Sequence, residues 1–154
     1  MSAAPERSAP LPAIDWHGLY DRGWSIFPLK PGSKEPAMPW KRFQTERATP
    51  EEIARWAMTD CNVAIVTGTI SDLVVLDCDT EDAIAEAEKL GISDALTVRT
   101  SKGRHFYYCH PGGNVPNRAS FRSGMDLRGD GGFVVGPGSV HPDGSVYSEL
   151  ESWL

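Results

Sequence analysis

The sequence predicts one α+β domain with more strand than helix. Three observations carry the prediction. Apolar runs of strand length recur between breaks rich in Gly, Pro and Asn, from Trp24–Leu29 to Val146-Tyr147. Only three segments carry helix start or stop signals. The run Leu73-Val74-Val75-Leu76 passes straight into Asp77-Cys78-Asp79, a buried-strand pattern that ends in two acids. At 154 residues, 40% hydrophobic and 23% charged, the chain is long enough for a single core.

In chain order, Met1–Pro12 is Ala/Pro/Ser-rich, lacks the apolar core of a signal peptide, and reads as a disordered lead-in to a domain over residues 13–154. Ile14–Arg22 reads as a short helix with Ile14, Leu19 and Tyr20 inward, ended by Gly23. Trp24–Leu29 reads as a strand, and Lys30–Trp40 as a proline-rich loop. Thr49-Pro50-Glu51-Glu52 is a capping box with Pro in the first turn, and predicts a helix to about Met58 with Ile53, Trp56 and Ala57 on one face. Asn62–Val66 and Leu73–Asp79 are the next strands. Acids at Glu81 and Asp82 and a stop at Gly91 bound a helix over 81–90. Ala95–Thr100 and His105–Cys109 are strands joined by the polar turn Ser101-Lys102-Gly103-Arg104, with His105, Tyr107 and Cys109 on one face. Phe121–Leu127 reads as one strand, Arg128–Gly132 as a glycine-rich turn, and Phe133–Val135 and Val146-Tyr147 as the last strands.

Composition excludes several classes. No apolar run approaches a membrane span, so no membrane partner is expected. The three cysteines Cys61, Cys78 and Cys109 have neither zinc-finger nor disulfide-framework spacing; Cys78 and Cys109 sit in apolar, strand-like contexts, which suits a reducing cytoplasm. No Gly-x-Ser-x-Gly elbow marks a serine hydrolase. The net charge of −6 argues at first against a nucleic-acid partner. Its distribution does not: residues 97–129 hold Arg99, Lys102, Arg104, Arg118, Arg122 and Arg128 against Asp126 alone, a segment of +5 in a chain whose remainder carries −11. Such a face can track a phosphate backbone; dispersed, solvated charge is the alternative.

Chemistry concentrates at three places. Asp77 and Asp79, spaced i, i+2 on a strand, point to one side and repel. A divalent cation, a basic neighbour or a shared proton would offset the repulsion; the plainer alternative is that Asp79 caps the next helix and Asp77 is solvated. His105 opens a strand behind Ser101, Lys102 and Arg104, and is either a phosphate contact or a structural histidine. Asp126 runs into Arg128 and Gly129, and is either a third carboxylate for two ions or a turn former paired with Arg128. Lys34, on its loop, is a candidate to reach a triphosphate or a template strand.

These residues resemble the motifs of the N-terminal domain of bifunctional primase–polymerases, in the archaeo-eukaryotic primase superfamily. The apolar run with Asp-x-Asp stands as Leu73–Asp79. The small-x-His motif after a Ser/Gly-rich turn stands as Gly103-Arg104-His105 after Thr100-Ser101-Lys102. The apolar-Asp motif stands as Met125-Asp126, leading into Leu127–Val135. Phe27–Pro36, Asn62–Gly68 and Gly136-Pro137-Gly138-Ser139 are also similar, with Gly138 where many members have a second Pro. The resemblance covers roughly Ile14–Leu154.

The resemblance implies a mixed, mainly antiparallel sheet with packed helices, related to the RNA-recognition motif. It implies a DNA primase/polymerase that adds dNTPs or NTPs to a primer or initiating nucleotide on a single-stranded DNA template, in DNA replication. Asp77, Asp79 and Asp126 would hold two Mg²⁺ or Mn²⁺ ions, and His105, Ser101, Lys102, Arg104, Arg128, Gly129 and Lys34 would hold the nucleotide. A replicative helicase in the same or a separate chain is an implied partner. No Cys/His cluster matches the zinc-binding insertion of some members, so no zinc is expected. Two other classes stay open: a metal-dependent nuclease or phosphohydrolase with His105 orienting water, and a non-catalytic nucleic-acid-binding module.

Overall fold

A computed structural model describes residues 13–89 and 95–150. The expected N-terminal lead-in and the expected helix stop at Gly91 lie outside the described residues. The elements are α1 (Trp16–Asp21), β1 (Ile26–Leu29), α2 (Pro50–Trp56), β2 (Asn62–Val66), β3 (Leu73–Cys78), α3 (Glu81–Lys89), β4 (Leu96–Arg99), β5 (Arg104–Cys109), β6 (Arg118–Arg122), β7 (Met125–Arg128), β8 (Phe133–Val135) and β9 (Ser148–Leu150), with short 3-10 turns at Lys41–Gln44 and Thr69–Ser71.

The strands form two antiparallel sheets, β1-β2-β8 and β6-β7-β3-β5-β4-β9. Within the larger sheet the segment β3-α3-β4-β5-β7 has spatial order β7-β3-β5-β4. Counted along the chain, that order is fourth, first, third, second, as in the RNA-recognition-motif sheet. Here the β5–β7 connection is the β6 hairpin strand where that motif has a second helix. The fold is the α+β, mainly antiparallel architecture expected.

Alternation along β3 divides the core in two. Leu73 and Val75 point into the main core, with Ile26, Phe27 and Leu29 of β1, Val63–Val66 of β2, and Trp16, Ile53 and Trp56 of the first two helices. Leu76 and Cys78 point the other way, into a smaller core with Ala83 and Ala87 of α3, Phe106 and Met125. Asp77 is therefore next in line on the main-core face, where that face runs out of apolar residues.

Local signals explain the helices. Asp15 caps α1 by accepting from the Gly18 amide (3.0 Å). The Thr49/Glu52 capping box of α2 forms in both directions. Thr80 caps α3, its hydroxyl accepting from the Ala83 amide (3.0 Å), so Asp79 is not the cap.

Several expectations change. Phe121–Leu127 is two strands: the chain turns at Ser123-Gly124, and β6 and β7 form a hairpin. Val146 makes only an isolated bridge to Val140, and the last strand is Ser148–Leu150. Trp16, not Ile14, is the buried partner of Leu19 in α1, and Ala57 is exposed. Cys109 ends its strand exposed, while Cys78 is buried. The basic segment does not form one face. Arg104 pairs with Glu88 and Arg122 with Glu86, both on α3, while Arg128 pairs with Asp126 across the sheet from them.

Candidate active site

Register builds the site. Asp77 on β3 lies opposite His105 on β5 and opposite Asp126 on β7. Directly opposed residues on neighbouring strands have their Cβ atoms about 5 Å apart and share a face. His105, Asp77 and Asp126 thus form a row across three adjacent strands. Asp79 follows on the same side just past the end of β3.

Two turns clamp the end of β3. The Asp79 amide donates to the Gly124 carbonyl in the β6–β7 turn (2.9 Å). On the other side, the Thr100–Gly103 turn presses on Cys78. A Cβ on Gly103 would lie 1.8 Å from the Cys78 carbonyl oxygen, so no other residue fits there without moving the acidic strand end. That turn is closed by the Thr100 hydroxyl, which accepts from the Gly103 amide (3.0 Å).

The row is electrostatically unbalanced. His105 Nε2 stands 3.4 Å from Asp77 Oδ1, and the ring's Nδ1 is buried without a hydrogen-bond partner among the described residues. Burial alone would raise Asp77, but the hydrogen bond and charge of His105, then Asp79 and Arg128, hold its carboxyl below the ordinary range. Asp79 is pushed up, by burial first and then by the charge and hydrogen bond of Asp77 and the charge of Asp126. Burial and the two flanking acids lift the Cys78 thiol to about 11. Asp126 accepts from the Ser120 amide (2.8 Å) and from Arg128 (3.4 Å).

Asp77, Asp79, Asp126 and His105 open onto one cleft of about 360 Å³, with Lys34, Ser101, Lys102 and Arg128 also on its wall. Lys34 is carried there by its loop, which is pinned where Asn62 Nδ2 donates to the Ser33 carbonyl (3.0 Å). Two of the expected residues are elsewhere. Arg104 precedes His105, so alternation turns it to the α3 face and Glu88 (3.6 Å). Gly129 is buried in a turn, its amide donating to Asn117 Oδ1 (2.8 Å). Ser101 lines the cleft, but its hydroxyl is engaged by the Asp143 carboxylate.

Two residues outside the expected set line the cleft, and a third braces them. His141 and Tyr147 line the wall, and Asp143 holds both Ser101 and His141. Tyr147 is packed between the His105 and His141 rings, 6.1 Å from each, and burial with Asp77, Asp143 and Asp79 pushes its phenol up to about 12. Nothing in the neighbouring sequence marks them as site residues.

Among the described residues no group of three His, Cys, Asp or Glu side chains converges to hold a metal ion by itself. The donor chemistry does fit a hard divalent cation. Asp77 and Asp79 hydrogen-bond while one is protonated and repel once both ionise, and Mg²⁺ is commonly held by one or two carboxylates with substrate phosphates completing its shell. Asp126 is one strand away, engaged by Ser120 and Arg128.

The fold and the cleft together define an α+β protein that presents a row of acids and a histidine from one antiparallel sheet. The family model of the bifunctional DNA primase/polymerase N-terminal domain, Prim-Pol, matches residues 17–152, and the chain belongs to that family. The match associates it with DNA primase/polymerase activity and with DNA and nucleotide substrates. No match was found among curated proteins. Among the described residues no helix is long and apolar enough to cross a membrane.

Proposed function

We propose that this chain is a template-directed nucleotidyltransferase, a DNA primase/polymerase that joins a (d)NTP to a primer 3′-hydroxyl or to an initiating nucleotide. One observation carries the reading: Asp77 sits in register between His105 and Asp126, with Asp79 beside it and three cations, Lys34, Lys102 and Arg128, on the same cleft wall. Asp77 and Asp79, with Asp126, would hold two Mg²⁺ or Mn²⁺ ions. Those ions supply activation of the attacking hydroxyl and charge neutralisation at the phosphates.

The chain's own groups do the rest. Lys34, Lys102 and Arg128 counter the charge of the triphosphate and orient it. His105 contacts the phosphates from the far side of Asp77 and holds that carboxyl ionised. The attacking hydroxyl gives up its proton to solvent, its oxygen forms a new bond to the α-phosphorus, and pyrophosphate leaves with the electron pair of the broken P–O bond. Positioning and charge neutralisation account for most of such a reaction, which suits a site with few groups.

The test is nucleotide incorporation on a single-stranded DNA template, with and without primer, with dNTPs or NTPs and Mg²⁺ or Mn²⁺. Product is expected from the unmutated chain and not from the Asp77→Ala/Asp79→Ala double variant. Metal-dependent loss of template without nucleotide would overturn the proposal in favour of a nuclease. Intact template with no product in any lane would overturn it in favour of a binding module.

A further inference from the structure

A second cleft, of about 320 Å³, adjoins the carboxylate cleft; Lys34, Asp77, His105, Arg128 and Tyr147 line both. Its remaining wall is different in kind. Trp40 and Phe133 supply aromatic surface, and Gly131, Gly132 and the exposed Asn117 also line it.

Trp40 is held rigidly. It stacks on the buried Phe27 ring, with centroids 5.3 Å apart and planes at 12°. Phe133 stands edge-on, 5.0 Å from Trp40 and 5.3 Å from Phe27. The three centroids form a nearly equilateral triangle, so Phe133 lies beside the Trp40–Phe27 stack, and among the described residues no second ring stacks on Trp40. Trp40 is only half-buried, and it lines the cleft.

Asn117 is also oriented. Its Oδ1 accepts from the Gly129 amide (2.8 Å), while its Nδ2 has no hydrogen-bond partner among the described residues. A Cβ on Gly132 would lie 2.4 Å from that Oδ1, so the glycine is what lets the amide lie against the turn. A cleft with an aromatic wall and one free amide donor thus joins a charged cleft across two shared cations. That is the shape and polarity of a nucleotide, with a π-faced base at one end and phosphates at the other.

We propose that the outer face of Trp40 is the stacking platform for the nucleobase of the nucleoside triphosphate bound at the carboxylate cleft, with Asn117 Nδ2 donating to an acceptor on the base. This rests on the nucleotide reading above. Base–aromatic stacking is tolerant of base identity because every base has a π-face.

The test compares dATP with inorganic tripolyphosphate, bound to the full chain in Mg²⁺ without template and measured by calorimetry. Tripolyphosphate carries the charge without the base. The unmutated chain should prefer dATP by about tenfold. Trp40→Phe should keep most of that preference. Trp40→Ala should reduce it to within about twofold while leaving tripolyphosphate affinity unchanged. Because Trp40→Ala also removes packing on Phe27, Trp40→Leu is the second variant: it keeps apolar bulk without the aromatic face, and its preference should fall in the same way. A Trp40→Leu protein that binds tripolyphosphate and keeps the tenfold preference overturns the inference and leaves the nucleotide reading standing. If the same variant keeps that preference but binds a single-stranded oligonucleotide more weakly, the wall belongs to the template strand and the inference is overturned. An unmutated chain that binds neither dATP nor tripolyphosphate overturns both readings.

Discussion

Asp77 and Asp130 are carboxylates in the same small protein, one at the end of the β3–β5–β7 sheet and one in the turn that leaves it, and their surroundings are opposite. Asp130 accepts from the amides of Val115 (2.7 Å) and Thr69 (3.0 Å), from the Thr69 hydroxyl (3.2 Å) and from His110 Nε2 (3.2 Å). His110 Nδ1 accepts from the Gly112 amide, which leaves the ring proton on Nε2 for Asp130. One side chain thereby ties together the crossover after β2, the loop after β5 and the crossover after β7. Burial alone would raise its pKa, and the Val115 and Thr69 amides with His110 lower it overall. Asp77 has a histidine at 3.4 Å and otherwise faces Asp79 and Asp126. An acid whose lone pairs are filled by protein donors holds the fold together. Acids set against each other in a cleft leave capacity for a ligand.

The largest effect that would sharpen this contrast is on Asp77. Asp77→Asn should lower nucleotide incorporation about 10³-fold, read as single-turnover primer extension. Its melting temperature should fall only slightly, because the favourable charge of His105 and Arg128 that is lost is offset by the relief of repulsion on Asp79, and Asn keeps a group that can face His105. A fall of several degrees would make Asp77 structural and break the contrast. Asp130→Ala should do the reverse: unfolding by urea should show a loss of about 2 kcal/mol, with incorporation tracking the folded fraction.

Asp130 and the second acid of the cleft, Asp79, should also respond oppositely to pH. The folded pKa of Asp130 is depressed, so its stabilising contribution is present above the ordinary carboxylate range and lost as pH falls through the folded value. The urea midpoint of the unmutated chain should therefore drop more on acidification than that of Asp130→Ala. Asp79 has a raised folded pKa, so its contribution is full below its unfolded value and lost as pH rises through the folded one. A bound divalent ion must displace that proton. The rise in melting temperature produced by Mn²⁺ should accordingly grow with pH across that window and vanish in Asp79→Asn.

The smallest effect concerns Arg104. Its guanidinium faces Glu88 on the α3 side, in an exposed pair worth at most about 1 kcal/mol. Arg104→Ala should leave both dNTP affinity and incorporation within about twofold. A tenfold loss would mean that the side chain swings around the sheet to the cleft.

Much of the framework was legible because it is local. The capping box at Thr49–Glu52, the β2 run Asn62–Val66 and the β3 run into Asp77 are each written within a few neighbouring residues, and each forms as read. The juxtaposition of Asp77, Asp79, His105 and Asp126 in one cleft needed more. Three strands must align so that His105 and Asp126 fall opposite the same residue, and that register depends on pairing across some thirty to fifty positions. The misplacement of Arg104 was avoidable: strand alternation that puts His105, Tyr107 and Cys109 on one face puts Arg104 on the other. Phe121–Leu127 looked continuous because its alternation hid the Ser123-Gly124 turn. The role of Asp130 and the presence of His141, Asp143 and Tyr147 were invisible locally, since every partner that gives them meaning is distant in sequence.

The most direct test of the account places the two acids side by side. Asp77→Asn and Asp130→Asn would be compared for single-turnover incorporation per folded molecule, with the folded fraction taken from urea unfolding of each preparation. The account predicts a fully folded, inactive Asp77→Asn and a destabilised Asp130→Asn whose folded molecules still extend a primer. An active Asp77→Asn, or an Asp130→Asn that is stably folded and inactive, would contradict it.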